Sequence, residues 1–147
     1  MTDFPLAEIT LRKYESPYDL NKRELVKKVC LSLGLLQPGD SRDVIVDILL
    51  VLLESNKNKR SLTSDEIQEK VISSRKSSSC EEKGIAESNI RRQLKRLRDM
   101  MLVEKSENKY RIAEFESLSK IFDEKITNFY VPSIIDRIKE YLKELEK

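Results

Sequence analysis

A chain of 147 residues is the size of one domain, or of a small domain carrying helical extensions, and holds one hydrophobic core rather than two large ones. Its 28 Lys and Arg against 26 Asp and Glu leave a net charge of +2, so the placement of charge along the chain matters more than its sum. Charged residues at 37%, three Gly, no Trp and no His describe a helix-rich, highly charged protein. The absence of His excludes a His-containing zinc site, a Ser–His pair and an imidazole general base.

Cys30 and Cys80 lie far apart and follow no metal-ligand spacing. Cys30 falls among the apolar positions of a predicted helix and reads as a small core residue. Cys80 lies in a polar loop, where a reactive thiol is the minority reading. No metal and no cofactor is expected. No paired carboxylates, Gly-rich phosphate loop or nucleophile–base pair stands out, so an enzyme is not expected either. The first six residues have no basic n-region and no apolar run follows them, so no signal peptide is expected. The apolar run 44–53 is far short of the roughly 20 residues that span a membrane. The expectation is a soluble, cytoplasmic protein with no membrane partner.

Residues 2–17 are poorly patterned. Ile9 and Leu11 alternate with Thr10 and Arg12, a weak strand signal that also suits an extended arm. A helix starts near Asn21, with Glu24 at the reciprocal position of a capping box. Leu25, Val26, Val29 and Leu33 recur at helical spacing, and Gly34 suits the residue after the helix end. Pro38 and Gly39 mark a turn, and Asp40 or Ser41 can cap the next helix, over 42–54. That helix is apolar nearly all round, through Val44, Ile45, Ile48, Leu49, Val51, Leu52 and Leu53, and belongs at the centre of a core. A polar turn, 55–60, precedes a clear helix start. Thr63 and Glu66 form a capping box there and Leu62 and Ile67 a hydrophobic staple, worth about 1 kcal/mol together. Ile67, Val71 and Ile72 give this helix a narrow apolar face. Residues 73–84, rich in Ser, Lys and Glu without periodicity, read as a mobile loop.

Helical spacing resumes over 86–101, with Ile90, Leu94, Leu97 and Met101 on one face. Two short β-capable runs, 102–105 and 109–112, flank Ser106, Glu107 and Asn108 as a tight hairpin. Phe115, Leu118, Phe122, Ile126 and Phe129 then form an amphipathic stretch that should stop before Pro132. Ile134, Ile135, Ile138, Tyr141, Leu142 and Leu145 form a second stretch.

The order of helix, helix, third helix and hairpin is the layout of a winged helix-turn-helix. The predicted fold class is therefore mainly α with a small β-hairpin wing (α+β), with N- and C-terminal helical extensions. Residues 1–19 form an arm, 20–113 the winged-helix domain with a leading helix, and 114–147 a C-terminal helical extension. The segment 85–103, IAESNIRRQLKRLRDMMLV, resembles the recognition-helix signature of winged-helix transcription regulators. Ile90, Leu94 and Leu97 fill its core positions, and Leu102 and Val103 begin the wing. A wider resemblance, carried by residues 9–15 (ITLRKYE) and 30–43 (CLSLGLLQPGDSRD), is to a family of small, uncharacterised archaeal winged-helix proteins. It implies an archaeal source and a DNA-binding role. Two departures stand out. The loop 73–84 exceeds the about three or four residues of a compact helix-turn-helix, either as an insertion or as an extension of the preceding helix, and Met101 stands where those regulators very often have Gly.

With Ile90, Leu94 and Leu97 facing the core, Ser88, Asn89, Arg91, Arg92, Lys95, Arg96 and Arg98 are left on the exposed side of the helix or its flanks. Five of the seven are cationic, an electrostatic footprint suited to the phosphates of double-stranded DNA. Ser88, Asn89, Arg91 and Arg92, near the helix start, are the candidates for base edges, where Asn suits adenine and Arg guanine. Lys95, Arg96 and Arg98 suit phosphates. In the wing, Lys105, Lys109 and Arg111 suit the backbone or minor groove. A basic helix face by itself is most often a solvated surface; the hairpin after it and the two helices before it turn the reading towards nucleic acid. The apolar stripe of 131–147 suits either a helix packed on its own domain or a homodimer through the C-terminal helices. The expectation is a dimeric transcription regulator with no small-molecule ligand, against the alternative of a winged-helix protein-interaction module in a replication, repair or transcription complex.

Overall fold

The computed structural model describes residues 3–77 and 84–147. After an extended arm come α1 (Lys22–Ser32), α2 (Val44–Lys57), a short strand β1 (Leu62–Thr63), α3 (Ser64–Ser77) and α4 (Glu87–Asp99). The strands β2 (Val103–Ser106) and β3 (Lys109–Ile112) follow, then a 3-10 turn (Ala113–Phe115), α5 (Leu118–Ile121), a π-helical stretch (Phe122–Tyr130) and α6 (Val131–Leu145). The three strands form one antiparallel sheet in the order β1-β3-β2. The architecture is mainly helical with a small hairpin wing, and α2-β1-α3-α4-β2-β3 follows the order of a winged helix-turn-helix. No helix among the described residues is long and apolar enough to cross a membrane.

The core forms around α2 because that helix is apolar on every side. Val44, Ile45, Val46, Ile48, Leu49, Val51 and Leu52 are all buried. They join Val26 and Cys30 of α1, Ile67 and Val71 of α3, and Ile90, Leu94 and Leu97 of α4 in one cluster, each buried Leu or Ile contributing roughly 1.5–3 kcal/mol. Burial pushes the Cys30 thiol up to about 12, which keeps it protonated and inert, as a core cysteine.

One ionic cluster interrupts this core. The Asp47 side chain of α2 is fully enclosed, and its carboxylate accepts from Arg75 of α3 at 2.5 Å and from Arg23 of α1 at 3.1 Å. Asp43, just before α2, accepts from both guanidinium groups at 3.2 Å. The sequence suggests Asp40 or Ser41 as the cap of α2. The cap residue is Asp43 instead, and it makes no side-chain cap bond because Arg23 and Arg75 hold its carboxylate. Burial pushes the Asp43 carboxyl upward, but the two guanidinium groups outweigh it and hold the group below its ordinary range.

Both capping boxes form. Asn21 and Glu24 exchange bonds of 2.9 and 3.3 Å, and Thr63 and Glu66 bonds of 2.9 and 3.2 Å. Leu62 and Ile67 are both buried, as a staple requires. Residues 9–12 form an arm, not a strand: the Arg12 amide donates to the Ser32 carbonyl, and its guanidinium donates to Leu31 and Leu36 carbonyls. Gly34 lies beneath this arm with φ +72°, and a Cβ there would sit 2.7 Å from Thr10 Cβ, so conformation and space both demand glycine.

Three expectations need correction. The stretch 73–84 is not a loop from its start: the preceding helix extends through Ser77, the second of the two readings of its length, because Arg75 turns inward to the two aspartates and carries α3 onward; residues 78–83, including Cys80, lie outside the described residues. The wing turn has two residues, not three. Ser106 pairs with Lys109, leaving Glu107 and Asn108, both left-handed (φ 51° and 64°) as a primed hairpin turn demands. Finally, the helix does not stop before Pro132. The amide of Val131 donates to the carbonyl of Ile126, five residues back, and the α-helix restarts there with Pro132 in its first turn, where a missing N–H is tolerated. Met101, where a Gly is usual, does take the left-handed backbone (φ 66°), at a cost of about 1–2 kcal/mol.

Removing Asp47 would leave two arginines facing a single enclosed anion. Asp47→Ala should lower the unfolding free energy by about 3–5 kcal/mol in denaturant melts, whereas breaking the exposed Lys57–Glu54 pair with Lys57→Ala should change it by under about 1 kcal/mol; equal effects would deny the cluster its role. Because Asp43 titrates lower in the folded chain than in the unfolded one, its contribution is complete above about pH 3.9 and is lost as the pH falls through the folded value. Asp43→Asn should therefore cost more stability at pH 7 than near pH 2. Replacing the wing turn by Glu107→Asn/Asn108→Gly should raise stability by about 0.5–1 kcal/mol, measured as a shift in denaturation midpoint, since both residues relieve left-handed strain.

Candidate nucleic-acid interface

α4 is held by one face. Ile90, Leu94 and Leu97 are wholly buried against α2 and α3. At about 100° per residue, the opposite line carries Ser88, Arg92, Lys95 and Asp99. Arg91 and Arg98 flank it on one side and Asn89, Gln93 and Arg96 on the other. The helix begins at Ala86 with no side-chain cap, and Glu87 in its first turn complements the positive end of the helix dipole.

The cations of this surface fall into two groups. Arg91 pairs with Glu87 one turn back, Lys95 with Asp99 at 3.1 Å, and Arg111 with Glu104 at 2.9 Å. Arg92, Arg96, Arg98 and Lys105 form no ion pair among the described residues, and Lys109 forms none either but feels the Glu66 carboxylate at longer range. Arg92 contacts only the neutral Oδ1 of Asn89, at 3.4 Å, and Arg96 donates to Gln93 Oε1 at 2.9 Å and to the Gly34 carbonyl at 3.5 Å. Guanidinium and ammonium groups are donors only, and neutral contacts leave their charge uncompensated for an incoming anion.

Asn89 has a role within the fold. Its Nδ2 donates to the Gly84 carbonyl at 2.7 Å, and its Oδ1 accepts from Gln93 Nε2 at 3.1 Å. The amide therefore fastens the start of α4 to the turn before it, and Gly84 (φ 78°) brings its backbone close enough to be held. Ser88 is exposed beside it.

The wing does not gather its three cations on one face. Strand alternation puts Lys109 and Arg111 on one side and Lys105 on the other. Lys105 lies directly across from Tyr110, its ammonium 5.6 Å from the ring centre. Arg111 is doubly engaged, by Glu104 and by the Phe115 ring at 4.8 Å. Lys109, at the tip end of the outer face, is the wing cation best placed to meet a ligand.

Arg42 is a residue that sequence reasoning missed. A cleft of about 400 Å³ runs between α4 and the connection from α1 to α2, with Arg42, Arg92 and Arg96 on its walls beside Asp40 and Gln93. Arg42 is largely exposed and touches Asp40 at 3.5 Å. No spacing rule links it to α4; only the fold of the intervening core brings it there. Comparisons with protein-family models, with curated proteins and with solved structures find no match for this chain.

Proposed function

We propose that the chain binds double-stranded DNA through α4 and the wing, and acts as a homodimeric winged-helix regulator of transcription. The observation that carries this reading is the charge on α4: Arg92 and Arg98 stand exposed, without an acidic partner among the described residues, on a helix whose opposite face is wholly buried. A rigid helix with free cations on its outward side suits the major groove, and a hairpin beside it suits the adjoining backbone. Lys109 is the wing residue for that contact, and Arg96 extends the basic surface along one flank of α4, beside the Arg42–Asp40 pair.

The dimer is supported by α6, which buries none of its residues and presents large apolar side chains to solvent. A two-fold dimer would carry two recognition helices to half-sites about 34–36 Å apart.

Fluorescence anisotropy with a mixed pool of duplex fragments tests the DNA reading. Arg92→Ala/Arg98→Ala should weaken binding at least about tenfold and reduce the salt slope by roughly 0.9 for each phosphate no longer neutralised, with the circular dichroism unchanged. Binding equal to the parent's at every salt concentration would sink the proposal. Arg91→Ala should weaken binding less than Arg92→Ala, because Glu87 already neutralises that guanidinium.

A further inference from the structure

We infer that α6 pairs with α6 of a second copy as an antiparallel two-helix coil, with Ile135 of each subunit opposite the partner subunit's Ile138. The inference rests on the dimer reading above and adds its direction and register.

The occupant follows from the helix itself. Val131, Ile135, Ile138, Leu142 and Leu145 are spaced four, three, four and three apart, as in the seam of a coiled coil, and Ile134 and Tyr141 widen it on one side. Ile135, Ile138, Leu142 and Leu145 are 44%, 52%, 48% and 81% exposed, and Tyr141 beside them is 70% exposed. The Tyr130 hydroxyl is bonded to the backbone of Glu8 in the arm at 3.1 Å; beyond that point the helix buries nothing. On its outer side the charges answer one another within the helix, Arg137 with Glu140 and Lys147 with Glu144. The positions directly beside the seam are apolar on one side, Ile134 and Tyr141, and carry only Lys139 and Glu146 on the other, so the surface matches another copy of itself better than a charged partner.

Direction follows from the positions beside the seam. In a parallel pair, Ile134 and Tyr141 would face the partner subunit's Lys139 and the partner subunit's Glu146, setting apolar groups against charges. In an antiparallel pair, the same flanks face each other. With Ile135 opposite the partner subunit's Ile138, Leu142 meets the partner subunit's Val131, and Ile134 lies beside the partner subunit's Tyr141. Leu145 then reaches the end of the partner subunit's π-helical stretch. This register sets Ile135, Ile138, Tyr141 and Leu142 against apolar partners; the parallel one leaves Tyr141 against a charge.

Disulfide trapping tests this in the full chain carrying Cys80→Ser, with Cys30 buried and silent. Mixing the Ile134→Cys and Tyr141→Cys proteins and oxidising should give a cross-linked dimer on a non-reducing gel. Leu145→Cys alone should give none, because an antiparallel pair holds the two thiols about 25 Å apart along the axis. A cross-link through Leu145→Cys with none in the mixture would overturn the antiparallel register and leave the dimer standing. Sedimentation as a monomer at tens of micromolar would overturn the pairing altogether, and DNA binding by anisotropy would still be scored independently. Ile138→Lys, at an exposed seam position, should shift the parent dimer to monomer while the helical signal of the domain persists.

Discussion

An aspartate enclosed in an apolar helix has to be met by cations, and that requirement organises this molecule. α2 is apolar all round, so hydrophobic burial alone gives it no preferred rotation about its axis. Asp47, with Asp43 one turn before it, removes that freedom, because enclosing a carboxylate without a partner costs several kcal/mol. Arg23 is brought from α1 and Arg75 from α3, and three helices become fixed relative to one another at a single point. The apolar core supplies most of the stabilisation; the charges select which packing it takes.

The consequences reach the surface that we assign to DNA. α3 has to continue to Ser77 for Arg75 to arrive at the cluster. Where α3 ends sets the point from which the chain returns to α4. The start of α4 is then fastened by Asn89 to the Gly84 carbonyl, and its inner face is fixed by Ile90, Leu94 and Leu97. The outward cations thus stand on a scaffold held at its base and its entry. Of the basic residues on α4 and the wing, the ones already paired with Glu87, Asp99 or Glu104 shape the surface, and the others leave positive charge exposed on it.

Much of this is readable in the sequence, and most of the failures share a cause. The two capping boxes, the staple, the all-round apolar α2, the α4 core triplet and the hairpin are local patterns, and local geometry decides them. What escapes are residues whose roles depend on distant partners. Arg75 sits in a Ser- and Lys-rich stretch that resembles solvent-facing chain, and only Asp43 and Asp47 explain why it turns inward. Asp43 escapes as a cap residue for the same reason. Arg42 joins the α4 surface through the tertiary fold alone. Of the candidate base-reading residues, Asn89 is the right type at the right place, yet its amide is engaged by a backbone carbonyl that no spacing rule anticipates. Pro132 misleads differently: the rule that proline ends a helix assumes a four-residue hydrogen-bond ladder, and this chain widens the ladder before reaching it.

That widened stretch also acts as a phase adjuster. The buried side chains Ile121 and Ile126 are five residues apart, so the helix keeps one line of contact with the body through a turn that an ordinary α-helix would have rotated away. After it, the normal period resumes and the apolar seam of α6 emerges at an angle set by how many residues the wide turn contains. Substitutions along α6 alter how strongly that seam adheres; the residue count between Phe122 and Tyr130 alters where it points. Deleting a single residue there would turn everything downstream by about 100° and draw it in by about 1.5 Å. In the two-fold assembly we propose, such a change would swing both basic helices relative to each other without touching either one, so the spacing of the two surfaces would be encoded by chain length in a segment that meets neither.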